Sequence, residues 1–271
     1  MLGNWNAVGL NILRNMNMHN NQIMLSMERL SSGLRINRAA DDPAGLAISE
    51  RMRAQIRGLQ VAQRNIQDSI SLFQTAESAL DETHAILHRM RELSVEAANG
   101  TLTNDDRELL NIEFQELKKE LERISKDTQF NTMPLLDGSR SSFKTQVGAN
   151  AGQSIEFTIG DTGMAALGIK DATIETREEA DQAISSLDEA IKKVSSERAR
   201  MGAYVNRLEH AYNNAMTMEE NLTAAESRIR DVDIAKEMMA LTKANILLQA
   251  GQYVFSLHLQ QAQSVLQLLK Q

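Results

Sequence analysis

The sequence predicts a mainly α fold: a long antiparallel helical coiled-coil rod with a small β-hairpin region and terminal coiled-coil helices. Three observations carry this expectation. Apolar residues recur at alternating steps of three and four over most of the chain. Only 2 Pro occur in 271 residues, so obligatory helix breakers are few. Aromatic residues make up 4% of the chain, too few to fill a β-sandwich or barrel.

Residues 1–34 are amphipathic, with Leu10, Leu13, Met24 and Met27 along an apolar stripe. Gly33 is placed to stop that helix, and Asp42 as N-cap with Pro43 at the first helical position starts the next. From there Ile48, Met52 and Ile56 lead into a seam of Leu59, Ala62, Ile66, Ser69, Phe73, Ala76, Leu80, Thr83, Leu87, Met90, Ser94 and Ala97. The spacing predicts a helix over 43–99, about 85 Å long. Asn99-Gly100 ends it, and Thr103 with Asp106 makes a capping box for a second helix over 104–127. Leu110, Phe114, Leu117, Leu121 and Ile124 carry its seam, and so short a turn folds the two helices antiparallel.

From about 130 to 172 the character changes to Pro134, several Gly and short alternating runs such as 143–147 and 154–159, which read as β-hairpins. Thr176 and Glu179 then cap a helix whose seam is Ala180, Ile184, Leu187, Ile191, Val194, Met201, Val205, Leu208, Tyr212, Ala215 and Leu222, interrupted by Arg198 and Glu219. This helix is expected to run to about 221, with a further one over 224–270. The last helix carries its own stripe, Met238, Leu241, Leu248, Val254 and Leu257. Neither end of the chain has a partner supplied by sequence adjacency. Isolated helices are marginal in water, so both must be buried against each other, the helical core or other copies.

Composition removes several functions. With 29 Lys+Arg against 36 Asp+Glu the net charge is −7, which disfavours nucleic acid and anionic membrane as partners. The absence of Cys excludes disulfides, thiolate metal sites and cysteine nucleophiles. No stretch approaches the roughly 20 apolar residues of a membrane span, and the first residues lack the basic and apolar regions of a cleaved signal peptide. His84 and His88 share a helix face with Glu92 one turn on, but the pattern reads as a solvated face, so no metal, cofactor or catalytic residue is assigned.

The run Leu30-Ser31-Ser32-Gly33-Leu34-Arg35-Ile36-Asn37-Arg38-Ala39-Ala40-Asp41-Asp42-Pro43-Ala44-Gly45-Leu46-Ala47 closely resembles the N-terminal hallmark of bacterial flagellins. Asn221-Leu222-Thr223-Ala224-Ala225-Glu226-Ser227-Arg228-Ile229-Arg230-Asp231-Val232-Asp233-Ile234-Ala235 resembles the C-terminal one, and Thr128-Gln129-Phe130-Asn131 and the ending Val265-Leu266-Gln267-Leu268-Leu269 agree with it. The extreme ends depart from the family pattern at Leu2, Gly3 and Trp5, and at the bulky stretch Tyr253, Val254, Phe255, Leu257, His258 and Leu259.

The resemblance implies a minimal flagellin without outer variable domains, a structural subunit that self-assembles into the bacterial flagellar filament for swimming motility, and no enzyme. It implies that 1–42 and 228–271 form a terminal, lumen-lining inner domain and 43–227 a rod domain. It further implies an extracellular, flagellar location reached without a cleaved signal peptide, and partners in an export chaperone, the filament cap and junction proteins. By the same resemblance Arg89, Leu93 and Glu113 match the residues through which animal Toll-like receptor 5 recognises flagellins. Alternatives are a hook–filament junction protein and, in a different class, a signalling coiled-coil rod.

Overall fold

The computed structural model describes residues 2–140 and 142–268. Helices dominate: α1 (Leu2–Ser32), α2 (Pro43–Ala97), α3 (Asn104–Asp127), the short α4 (Met164–Leu167), α5 (Arg177–Arg230) and α6 (Ile234–Leu268). Two small antiparallel pairs lie between α3 and α4: β1 (Gln129–Phe130) with β2 (Met133–Pro134), and β3 (Ser142–Gln146) with β4 (Ser154–Thr158). The fold class is as the spacing predicts. One boundary differs: α5 does not stop near 221 but continues to Arg230. No Gly or Pro stands at 221–224 to break it, whereas Asp233 accepts the Lys236 N–H at 3.1 Å and starts α6.

The chain divides into two compact units, Gln55–Glu220 and Met1–Ala54 with Asn221–Gln271. In the first, the α2 seam is the core. Leu59, Ala62, Ile66, Phe73, Ala76, Leu80, Thr83, Leu87, Met90, Ser94 and Ala97 are all buried, as are Phe114 and Leu121 on α3 and Leu187, Val194, Met201 and Leu208 on α5. Polar pairs along α2 and α5 fix one antiparallel register. The Gln60 amide donates to Glu219 at 2.7 Å, the Gln67 amide to Tyr212 Oη at 3.2 Å, and Arg198 meets Asp81 at 2.8 Å and Arg91 meets Asp188 at 2.7 Å. Arg198 and Glu219, which interrupt the α5 seam in sequence, are therefore answered from α2. Gln63 also donates to Glu219, at 2.7 Å.

Two buried cations on α3 satisfy carbonyls of neighbouring segments. Arg107 donates to the Ala97 and Asn99 carbonyls at 2.8 and 3.0 Å, satisfying the last turn of α2 and pinning the α2–α3 turn. The capping box expected at Thr103 and Asp106 is formed there. Further along α3, Lys118 Nζ donates to the Lys170 and Ala172 carbonyls at 2.8 and 2.9 Å, and burial pulls its pKa down. The β3–β4 hairpin docks through an aromatic triad, Phe157 standing 5.1 Å from Phe73 and 5.0 Å from Tyr204. Its turn lies so close to α2 that a Cβ at Gly58 would come within 2.6 Å of the Ala149 Cβ.

Replacing Lys118 by Met keeps most of the buried stem and leaves two carbonyls without a donor. Urea unfolding is expected to show a loss of about 1–3 kcal/mol.

Candidate self-assembly and recognition surfaces

In the unit made of the chain ends, α1 and α6 run antiparallel. A Cβ at Gly9 would meet His258 at 3.3 Å, one at Gly251 would meet Met16 Cγ at 3.1 Å, and Ser26 Oγ donates to Glu237 Oε1 at 2.6 Å. These contacts define a seam of Gly9, Ile12, Met16, His19, Ile23 and Ser26 on α1, again in steps of three and four. On α6 the facing row is Glu237, Leu241, Ala244, Leu248, Gly251, Phe255 and His258. Glycine at 9 and 251 leaves room for the His258 and Met16 side chains of the facing helix.

The links beside this pair are joined. Gly33 takes a left-handed φ of +72° and stops α1 as expected, its N–H donating to the Arg29 carbonyl. Leu34 then bridges Asp231, with the Arg35 N–H donating to the Arg230 carbonyl at 2.7 Å and the Val232 N–H to the Gly33 carbonyl at 3.0 Å. The Asp41 carboxylate accepts the N–H groups of Arg38 and Asn37, which holds its pKa low, and Asp42 caps α2 through the Gly45 N–H at 2.9 Å. Arg230 reaches Glu50 at 2.6 Å and Arg53 reaches Glu226 at 2.9 Å. The hallmark residues thus build the crossover between helices, and their carboxylates are spent on backbone and guanidinium groups rather than aimed at a ligand.

The stripes expected from the sequence divide between two faces. Leu10, Leu13, Met24 and Met27 on α1, and Met238, Val254 and Leu257 on α6, are exposed. Leu241 and Leu248 instead are half-buried in the row facing α1, so of the two burials expected for these stripes they take the one against the other terminal helix. Periodicity could not separate them, because α1 and α6 are apolar on more than one side. Around Met238, Met239, Ile246 and Leu247, α6 presents a shallow apolar groove. The side chains of Leu2, Gly3 and Trp5, and those of the ending 265–269, lie outside the described residues.

On α2 and α3, Arg89 Nε donates to Glu113 Oε1 at 2.8 Å and Nη1 to Glu92 at 3.2 Å, and these carboxylates, Glu113 first, raise its pKa further. Arg89 and Glu113 are about half exposed. Leu93 is not: at 1% exposure it belongs to the core, so of the three residues that the resemblance groups together two are exposed. Leu93 lies three residues after Met90 and four before Ala97, and a helix packed by both α3 and α5 buries a wide arc that includes it.

His84 and His88 bring their Nε2 atoms to 3.0 Å, a mutual hydrogen bond between imidazoles. Burial, then His88, lowers the His84 pKa. Among the described residues no group of three His, Cys, Asp or Glu is placed to hold a metal ion. No described helix is long and apolar enough to cross a membrane.

The comparisons with known proteins bear on these surfaces. Residues 4–141 match the family described as the bacterial flagellin N-terminal helical region, and residues 184–269 the bacterial flagellin C-terminal helical region. The chain belongs to the bacterial flagellin family. It is 54% identical over 274 residues to a flagellin of Halalkalibacterium halodurans, covering all of both chains. To a flagellin of Bacillus subtilis it is 49% identical, covering 98% of this chain and 99% of the relative. Among solved structures, Bacillus cereus flagellin is 35% identical with a TM-score of 0.53, over 60% of this chain and 94% of that one. A putative flagellar hook-associated protein of Vibrio parahaemolyticus, 15% identical with a TM-score of 0.59, shares the fold over 70% of this chain and all of its own. The flagellin relatives span the full chain, so it is a structural subunit that self-assembles into the bacterial flagellar filament for motility, and not an enzyme.

A pH test follows from the imidazole pair. The His84 pKa is below its ordinary value of 6.5, so the folded chain binds fewer protons than the unfolded chain just below that pH. Its contribution is complete above pH 6.5 and is lost as pH falls toward the folded pKa. Urea midpoints of the native protein and His84→Gln are expected to run parallel above about pH 7 and to converge below it, the native protein losing more.

Proposed function

We propose that the outward faces of α1 and α6 are the principal surfaces by which subunits join. The observation that carries this is an inversion of burial. In the described part of Met1–Ala54 and Asn221–Gln271 the buried apolar side chains are Ile23, Ile36 and Ala244. Leu10, Met24, Met27, Met238, Met239, Ile246, Val254 and Leu257 stand 41–67% exposed in the same unit. A subunit folded alone leaves that apolar surface in water, and burying it against other subunits supplies the driving force for assembly. On this reading 1–42 and 228–271 form the inner, lumen-lining layer, and 43–227 the layer outside it. Leu241 and Leu248 act indirectly, by holding α6 on α1.

Substituting Met24 or Met238 by Asp places a charge on the outward face without touching the α1–α6 seam. Each variant is expected to keep its helical circular dichroism and to lose polymerisation at concentrations where the native protein forms filaments. Leu241→Ala, which thins the seam, is expected to lower helix stability first, by about 1–3 kcal/mol for a half-buried leucine, and to raise the critical concentration through that loss. Filaments formed normally by Met24→Asp and Met238→Asp would remove these faces from assembly.

The family resemblance supports three further parts of the reading. The subunit acts outside the cell, exported without cleavage of a signal peptide. It meets an export chaperone, the filament cap and junction proteins on the way. In an animal host, Toll-like receptor 5 recognises the exposed Arg89–Glu113 pair, with Leu93 holding the helix from within the core rather than touching the receptor. Arg89→Ala and Glu113→Ala together are expected to weaken receptor activation by soluble subunits while leaving the urea midpoint within about 0.5 kcal/mol, because exposed ion pairs contribute little to stability.

A further inference from the structure

We propose that the methionines of the terminal helices form an oxidation-sensitive site that disables assembly. The proposal rests on the reading of the α1 and α6 outward faces given above and adds their chemistry. The chain has 14 Met and no Cys, so thioethers are its readily oxidised sulfur groups. They are distributed unevenly between core and surface. Met90 and Met201, in the core of Gln55–Glu220, are 0% exposed, whereas Met18, Met24, Met27, Met238 and Met239 are 48% exposed or more, Met24 and Met239 reaching 65% and 67%. Met24 and Met27 are neighbours at i, i+3 on α1, and Met238 and Met239 line the apolar groove on α6 beside Ile246 and Leu247.

The reactant is a peroxide. A thioether lone pair attacks one oxygen of hydrogen peroxide; the S–O bond forms, the O–O bond breaks, and after proton transfer water leaves. The sulfur is oxidised by two electrons and the peroxide reduced by two, giving methionine sulfoxide. The product replaces a flexible apolar group by a strong hydrogen-bond acceptor. On a face that must be desolvated against another subunit, that acceptor has no donor, and the interface loses what methionine contributed. Oxidation is therefore fast in free subunits, where these sulfurs meet water, and slow in filaments, where the interface covers them. Assembly protects the site, and oxidation before assembly excludes the subunit from the filament.

The test exposes free subunits and preformed filaments to the same hydrogen peroxide concentration and locates sulfoxides by peptide mass spectrometry. Met24, Met27, Met238 and Met239 are expected to oxidise in subunits and be spared in filaments, with Met90 and Met201 spared in both. Oxidised subunits should show a critical concentration raised about tenfold or more, restored when methionine sulfoxide reductase and a dithiol return the thioethers. A variant with Leu at Met18, Met24, Met27, Met238 and Met239 should polymerise and keep doing so after peroxide. It retains Met216 and Met218, 48% and 47% exposed on α5, as internal reporters that the reagent acted. Unchanged assembly of oxidised native subunits, or equal peroxide sensitivity of the leucine variant, would overturn the proposal. Met24→Asp and Met238→Asp separate the two failures: if they block assembly and sulfoxides do not, the surface reading stands and the oxidation site falls.

Discussion

The seam on α2 is the constraint on which the rest of Gln55–Glu220 depends. From Leu59 to Ala97 almost every position at alternating steps of three and four is buried. A helix this long can be covered only by partners that follow it, and the chain supplies α3 over one part and α5 over the whole. Once α5 is laid antiparallel in that register, the turn after α3 must return the chain to Thr176, and the β-hairpins fill the interval. Phe157 reaches the same core as Phe73 and Tyr204, so the hairpin is an extension of the seam rather than a separate layer. Arg107 and Lys118 make the corners affordable by donating to carbonyls that the ends of helices and loops would otherwise leave unpaired.

The chain ends solve the opposite problem. They carry enough apolar surface for a core but meet each other along one narrow row, in which Gly9 and Gly251 receive the His258 and Met16 side chains and Ser26 and Glu237 occupy a buried polar layer. The pair is therefore closed in one direction and open in the others. A subunit built this way holds its helices in place through the Leu34–Asp231 bridge and the Arg230–Glu50 pair while leaving the outward apolar faces of α1 and α6 exposed.

Much of this was legible in the sequence, because a strict three-four pattern with a single polar side identifies its own buried face. The α2 and α5 seams, the Thr103–Asp106 and Thr176–Glu179 capping boxes and the Gly33 stop are all as the spacing predicts. What periodicity could not assign was the face of a helix apolar on two sides. On α1 the row facing α6 contains Gly9, His19 and Ser26, residue types that read as the solvent side, while the bulkier Leu10, Met24 and Met27 stand outside. Leu93 differs in the other direction: the resemblance groups it with the exposed Arg89 and Glu113, but such a match does not tell how far a neighbouring helix wraps around a position, and Leu93 is buried. The α5 boundary was missed for a simpler reason, since a change of sequence motif at 221 is not a change in the hydrogen-bonding capacity of the backbone.

The polar interruptions in the seams carry the remaining specificity. A row of Leu, Ile, Val and Ala could slip by one heptad and still find apolar partners, because each turn resembles the next. Glu219 with Gln60 and Gln63, Arg198 with Asp81, and Glu237 with Ser26 remove that degeneracy. A slip of one heptad would put Gln74 or His88 in place of Asp81 opposite Arg198, and His19 or Gly33 in place of Ser26 opposite Glu237, so these pairs are lost, and a half-buried charge without a partner costs far more than an exposed pair gains when made. The net stabilisation from these pairs is small, but the penalty for misplacing them is large. That difference is what converts a generic pair of apolar seams into helices held in one register.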